Sequence, residues 1–451
     1  MAAGDGVLVA LGESCLEYIA HTDGYPKPDT RNFSTHSHIG GGGKAANAAV
    51  AFNRLATGRG ISTRLITRVG RDPAGRSVLD GLRAEGIELP LEHLAEGSPD
   101  SVTGSSIVVV AKSTRTLVHS AGVTADEPLG QEDVADEARW LIGGRTPVLL
   151  YLDGRHPAAA LQAAQYARAR SVPILVEADA VPYTKAEDTE PLLALADYII
   201  TTAEWPRQLT GLDDVEGGLA FVLQRTAPHA RMAIATLENC KQGCLALIRP
   251  LEDSGGPIGG MIGTGAPAAA DGGWPAQVSS TPPSSPARRW NDPANYAPQA
   301  VASPGGVQFS PARKAAYNPS RQHGYTELPS GIGWAEIGGD LSRWGQLNLP
   351  DYASVVEHKS SGCLVVRCPL PPEALAAAHA NMRDPSASTS AFIGGFMTAM
   401  VAKPPLAVGS ALRLSCDVAG RSWAGDGRSG LPTASAVPSQ LLYPGVGVGG
   451  G

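Results

Sequence analysis

Short apolar runs separated by glycines and by amphipathic stretches organise the first 250 residues. Residues 7–11 are an unbroken apolar run that stops at Gly12, which predicts a buried strand. After the glycines at 40–43, Ala48, Ala51, Phe52 and Leu55 recur at helical spacing. Residues 62–69 repeat the strand pattern and 74–85 the helical one. Residues 104–110 and 116–119 read as a strand pair joined by a polar turn at 111–115. From residue 148 the two patterns alternate. Strands are expected at 148–152, 173–176 and 198–201, helices at 158–170, 190–196 and 204–209, and two more strands at 232–236 and 244–248. This order predicts a mainly parallel sheet with helices on both faces.

The periodicity then stops. In residues 251–310, Gly, Pro, Ser and Ala fill 36 of 60 positions, too little apolar surface to offset the entropy of ordering. The expected organisation is therefore a core with its first part at 1–250 and a low-complexity, disordered insert at 251–345. The core resumes at 346–441 and a glycine-rich flexible tail follows at 442–451. Within the second part, 363–368 reads as a strand, and 391–400 and 406–419 as apolar helices.

Composition narrows the function classes. The 451 residues are 43% hydrophobic, enough for a sizeable core, and carry a net charge of −7, which argues against a nucleic-acid partner. No run approaches the roughly 20 apolar residues that span a membrane, and the N-terminus lacks the basic stretch of a signal peptide. The chain is expected in the cytoplasm, a plastid being the alternative. Six cysteines are too spread for a disulfide framework, and no histidine pattern completes a zinc site around Cys240 and Cys244 or Cys363 and Cys368.

Gly40–Gly43 followed by Lys44 invites a phosphate-loop reading, which fails. His38 stands where that motif needs glycine, and Ala45 where it needs Ser or Thr. What stands is Gly42-Gly43-Lys44-Ala45-Ala46-Asn47 at a helix start. Glycine lets the backbone approach a ligand there, and an amide can both donate and accept. Asp72 is placed to cap the helix that follows it. Asp153, Glu177 and Glu204 fall at the ends of three expected parallel strands, the edge where open α/β sheets bind ligands. Together they suggest a metal–phosphate site.

In this order, these pieces resemble the ribokinase/PfkB family of carbohydrate kinases. Gly12-Glu13-Ser14-Cys15-Leu16-Glu17-Tyr18 resembles the family's first strand and turn. Gly42 to Asn47 resembles its GGxxxN sugar motif, and Val69-Gly70-Arg71-Asp72-Pro73-Ala74-Gly75 its vGxDxxG. Thr236 with Gly243-Cys244-Leu245 is similar to the strand pair beside the nucleotide, and Ala391-Phe392-Ile393-Gly394-Gly395-Phe396 to the helix after the catalytic motif. Gly430-Leu431-Pro432 is similar to the family's C-terminal ending. The tenor is closest to the ketohexokinase-like and fructokinase-like branches. The resemblance implies a ribokinase-like three-layer sandwich with a small β lid over the sugar, and a homodimer through that lid. It also implies ATP and Mg²⁺ as cofactors and phosphoryl transfer to a sugar hydroxyl. Glu17, Gly42, Gly43 and Asn47 would bind the sugar. Glu204, Glu177, Thr236 and Gly243 would serve the nucleotide and its phosphates, and no metal ligand is assigned.

The sequence departs from the family where the chemistry is done. The family's GAGD is here Ala387-Ser388-Thr389-Ser390, so Ser390 occupies the position of the base. A hydroxyl does not accept a proton at neutral pH without a base of its own, and losing a general base costs roughly 10²–10⁴ in rate. Thr389 replaces a glycine and is expected to restrict the backbone of the anion hole. Ser390 would remain a good helix N-cap. Glu17 stands for the family's Asp, and Thr201 for the Asn of its NxxE motif. Glu238 and two extra residues interrupt T-x-G-x-x-G. Ala424-Gly425-Asp426 reads as a loop and Asp384 as the nearest spare acid. Three readings follow: an ATP-dependent sugar kinase, a catalytically impaired pseudokinase that still binds sugar or nucleotide, and a scaffold that keeps only the fold.

Overall fold

Alternation along β1 (Gly6–Leu11) sets the layering of the molecule. Leu8 and Ala10 enter one hydrophobic core and Val7, Val9 and Leu11 another, so the strand is buried on both faces. The computed structural model describes residues 6–90, 94–96, 100–111, 114–135, 145–179, 186–250, 350, 353–358, 363–381, 387–402, 406–423 and 427–442. The expectations for 251–345, for Asp384, for Ala424-Gly425-Asp426 and for the tail lie outside the described residues.

The large sheet has ten strands in the order β13-β14-β12-β11-β10-β9-β8-β1-β4-β5. The strands from the first part of the chain are β4 (Ile61–Val69), β5 (Leu94–Glu96), β8 (Thr146–Leu152), β9 (Ile174–Ala178), β10 (Tyr198–Thr202), β11 (Met232–Thr236) and β12 (Cys244–Ile248). They are joined by β13 (Ser354–His358) and β14 (Cys363–Cys368). Pairing is parallel from β11 through β1 to β5 and antiparallel from β11 through β12 and β14 to β13. The periodicity analysis places most of these strands within a residue or two, and the mainly parallel sheet it predicts is the one observed.

Helices cover both faces. On one side lie α1 (Lys44–Leu55), α2 (Pro73–Ala84), α9 (Ser388–Met400) and α10 (Val408–Ser422), whose Phe52, Phe392, Phe396 and Trp423 fill the larger core. On the other, α4 (Pro157–Ala169) buries the alanines 159, 160, 163, 164 and 167 against Val9, Leu150 and Val176. Short helices α3 (Val123–Asp126), α5 (Ala186–Leu193), α6 (Glu204–Thr210), α7 (Val215–Phe221) and α8 (Pro372–Asn381) complete the set that positions the site. Asp72 caps α2 as expected. It accepts from Gly75 N–H at 2.7 Å and also from Thr103 Oγ1 at 2.6 Å, which ties the helix to the second sheet.

That second sheet is a four-stranded lid in the order β3-β2-β6-β7, made of β2 (Cys15–Thr22), β3 (His36–Gly42), β6 (Ser105–Ala111) and β7 (Thr114–Ser120). The β6–β7 pair is the one the sequence predicts. β2 and β3 escape the pattern because the first mixes Cys, Glu and His with apolar residues and the second ends in three glycines. Register lines up their faces: Glu17 pairs with Gly40 and Ser106, and Ser106 with His119. All six cysteines are buried and none is in a disulfide. No helix among the described residues is long and apolar enough to cross a membrane.

Candidate active site

One cavity of about 760 Å³ lies between the lid, the carboxyl ends of the parallel strands and the start of α9. Glu17 and Asn47 line it from the lid and α1, Glu177 from β9, and Thr389 and Ser390 from α9. Six of the predicted positions thus converge there, because Gly43 also faces the cavity.

The glycine motif works by close approach. A Cβ on Gly42 would sit 2.4 Å from the Glu17 carboxyl carbon, and one on Gly43 would meet the backbone of Glu13 at 2.5 Å. Gly43 also has φ of 93°, a left-handed conformation that suits glycine. The fixed approach lets Ala45 N–H, at the first turn of α1, donate to Asp153 at 3.2 Å. Asp153 also accepts from Glu13 N–H at 2.8 Å and from Arg155 N–H at 2.9 Å. It is fully buried, and burial pushes its carboxyl up to about 6. Asp153 is therefore a knot between β1, α1 and β8, and does not line the cavity.

Two charged clusters face the cleft. Lys44 Nζ lies 2.7 Å from both Glu177 Oε1 and Asp179 Oδ2. Burial opposes its charge, but these two carboxylates raise the ammonium above its ordinary value. The other Glu177 oxygen accepts from Tyr151 Oη at 2.5 Å. In the second cluster, His119 Nε2 lies 2.9 Å from Glu13 Oε1, and its Nδ1 lies 3.0 Å from Ser106 Oγ. Burial alone would raise the Glu13 carboxyl, yet His119 and Arg155 beside it hold it below the usual range.

Asn47 has a partner the sequence does not reveal. Arg428, from the C-terminal segment, donates from Nε to Asn47 Oδ1 at 2.8 Å and from Nη2 to the Gly42 carbonyl at 2.8 Å. Arg428 is buried. Burial pushes its guanidinium down to about 10, opposed by Cys15 and Glu17 nearby.

The start of α9 corrects the reading of Ser390 as N-cap. The helix begins at Ser388, its cap position is Ala387 without a side-chain bond, and Ser390 sits in the first turn. The reason is Ser388, whose Oγ donates to the Asn239 carbonyl at 2.8 Å and anchors an earlier start. The first helical bond runs from Ala391 N–H to the Ala387 carbonyl at 2.8 Å. The N–H groups of Thr389 and Ser390 therefore precede the ladder at a positive helix end. Thr389 is itself helical, so its β-branch does not keep this turn from forming.

The remaining predicted positions stand apart. Ala387 and Ser388 are buried and outside the cavity lining, as is Thr236, whose Oγ1 donates to the Thr201 carbonyl at 3.3 Å. Gly243, with φ of 77°, closes the β11–β12 turn, and its N–H donates to the Cys240 carbonyl at 2.9 Å. Three residues of that lengthened turn, Glu238, Asn239 and Cys240, have positive φ, at of order 1 kcal/mol each. They bring Asn239 to the cavity wall. Glu204 is exposed in the first turn of α6 and does not reach the cavity, whereas Thr202 does. The expected trio of Asp153, Glu177 and Glu204 is thus not one site. Among the described residues, no three His, Cys, Asp or Glu side chains converge to hold a metal ion.

Sequence reasoning did not mark Glu13, Lys44, Arg155, Asp179 or His119 as site residues. Lys44 and Glu13 carried a signal, their places inside the motifs at 42–47 and 12–18.

Comparison with known proteins agrees with this architecture. The model of the pfkB family carbohydrate kinases matches residues 7–253. A bifunctional ribokinase/ribose-5-phosphate isomerase A of Fructilactobacillus sanfranciscensis is 26% identical over 46% of this chain and 36% of its own length. The ribokinase of Bacillus subtilis is 27% identical over 28% of this chain and 44% of its own. The chain thus spans less than half the length of either curated relative. Among solved structures, the ribokinase of Arabidopsis thaliana complexed with ribose and ATP superposes with TM-score 0.56 at 13% identity, covering 98% of this chain and 99% of that one. The ribokinase of Thermotoga maritima gives 0.54 at 14% identity, covering 97% and 99%.

Proposed function

The chain belongs to the pfkB family of carbohydrate kinases, and from that premise we propose that it binds a sugar and ATP in this cleft. It would transfer the γ-phosphoryl group to a sugar hydroxyl, with a proton-transfer step weakened by Ser390. The carrying observation is that one cavity is lined at once by Glu17 and Asn47 and by Thr389 and Ser390. Glu17 and the Asn47 amide suit sugar hydroxyls, which donate and accept. The N–H groups at the start of α9 suit phosphate oxygens and the charge that develops on them. The cavity volume exceeds what a monosaccharide alone requires and leaves room for phosphates.

No protein ligands are assigned to Mg²⁺. Both Glu177 oxygens are engaged, by Lys44 and Tyr151, and Glu204 is outside the cavity.

The remaining gap is the proton acceptor. Ser390 lines the cavity, and at the base position that the sequence resemblance gives it a hydroxyl offers no basic group. This favours slow turnover with binding retained, and the pseudokinase is the limiting form of the same reading. The test is ADP formation from ATP and Mg²⁺ with a panel of pentoses and hexoses, with calorimetry of each sugar alongside. Sugar binding with ADP release above the sugar-free background supports the reading; no sugar binding at all overturns it.

A homodimer through the lid completes the reading. Ile39, Tyr18, Ile107 and Val118 form one cross-strand row on the outer lid face, all exposed, at 62%, 43%, 56% and 66%. An apolar row of this kind suits burial against a second copy.

A further inference from the structure

The inner face of the lid is graded. Its first row carries Glu17, Ser106 and His119, its middle row His38, Ile19, Val108 and Leu117, and its last row His36, His21, Val110 and Arg115. The cavity follows β7 along this gradient, since His119, Leu117 and Arg115 all line it.

Among the described residues, the charged side chains of the cleft lie near an opposite charge except at the far end. Glu13 is met by His119 at 2.9 Å and Arg155 at 3.9 Å. Glu177 and Asp179 share Lys44, and Arg155 also approaches Asp179 at 3.8 Å. Glu17 and the buried Arg428 both pack at Gly42, the first against its Cα and the second donating to its carbonyl at 2.8 Å. Arg115 is half-buried and lines the cavity, and its side chain makes no hydrogen bond or ion pair with a described residue. A guanidinium held over a cleft without a carboxylate of its own is a fork for an incoming anion.

We propose that Arg115 recognises an anionic group, a phosphate or carboxylate, on the acceptor sugar itself, so that the substrate class is an acidic or already phosphorylated sugar. The inference rests on the sugar-kinase reading of the same cleft. It places the hydroxyls of the ring at the Glu17 row and the anion beyond Leu117. Arg115 and His119 are four residues apart on β7, roughly 13 Å along the strand, so the anion sits on the part of the sugar remote from the ring contacts. The nucleotide is the other source of phosphate oxygens. Its place at the start of α9 puts it across the cavity from the lid.

The test is calorimetry on the full chain with matched pairs, D-fructose against D-fructose 6-phosphate and D-glucose against D-gluconate, plus ATP alone. In each case the wild type is compared with Arg115→Ala and Arg115→Lys. The expected result is that at least one anionic sugar binds tenfold or more tightly than its neutral partner. That ratio collapses toward one in Arg115→Ala, is largely kept in Arg115→Lys, and shrinks with added salt. Neutral sugars binding as tightly as their anionic partners would overturn the inference while leaving the kinase reading intact. Loss of ATP affinity in Arg115→Ala with no change in the sugar ratio would also overturn it and give the anion to the nucleotide. If ATP binds and no sugar of either kind does, the kinase reading falls and this inference falls with it.

Discussion

Lys44→Met isolates the electrostatics of the cleft floor. The ammonium sits 2.7 Å from two carboxylates, and its Glu177 partner is almost fully buried, with 2% of the side chain exposed. Methionine keeps much of the length and apolar body of lysine, so little packing is lost. What remains is two acids without the cation they share, Asp179 keeping only Arg155 at 3.8 Å. Removing one partner of a buried pair costs roughly 3–5 kcal/mol, because the other charge is left uncompensated. Asp179 is 23% exposed and can draw on water, so the lower end, about 3 kcal/mol, is expected. The sign of the pH dependence follows. In the wild type the folded ammonium titrates above its ordinary value of 10.5, so its contribution is intact below that pH and fades only at more alkaline pH. Urea denaturation should therefore show a loss of about 3 kcal/mol at pH 8. Lys44→Met combined with Glu177→Gln should be more stable than the sum of the single changes by at least about 1 kcal/mol. A loss under about 1 kcal/mol at pH 8, or additive changes in the double variant, would refute the account.

Asn47→Ala should do two things, since its side chain both faces the cavity and receives Arg428. Unfolding stability should fall by about 1.5–3 kcal/mol, the range for a hydrogen bond to a charged group, and calorimetry should show weakened sugar binding. Asp153 should make the protein less stable as pH rises from about 4 to 6. Its folded carboxyl titrates at about 6 against an ordinary 3.8, so its contribution is complete below 3.8 and is lost through 6, a swing of roughly 3 kcal/mol. Asp153→Asn should flatten that part of a stability–pH profile. Ile107→Lys on the outer lid face should convert a dimer to monomer in sedimentation, and a wild type that sediments as a monomer would remove the lid interface.

Much of the sheet was legible because its strands are buried on both faces and show as apolar runs. The lid's first two strands were not, because the inner face of each carries polar residues, Glu17 and His21 on β2 and His36 and His38 on β3. Gly42 belongs to β3 and Gly43 opens α1, so glycines that read as room for a ligand are also a point of close packing within the chain. Local pattern could pick out Asn47 and Glu177, and the family resemblance Glu17. It could not show that Lys44 holds Glu177, or that Arg428 returns to Asn47 across 381 residues, because those contacts exist only once the chain has folded. The same limit explains the acids at the strand ends. Position at the edge of a sheet does not distinguish Asp153, which ties backbone N–H groups, from Glu204, which faces solvent.

The rate of ADP release from ATP and Mg²⁺ by the wild type and by Ser390→Asp, with each sugar that binds, tests the central claim most directly. An Asp in the first turn of α9 is compatible with the helix end, where a negative charge is favourable. It would restore a carboxylate at the cavity wall that Ser390 now lines. The account predicts a slow wild type and a gain of up to roughly 10²–10⁴-fold on Ser390→Asp, with sugar affinity little changed. A wild type turning over at about 1–100 per second, as ordinary kinases do, whose rate falls on Ser390→Asp, would contradict it.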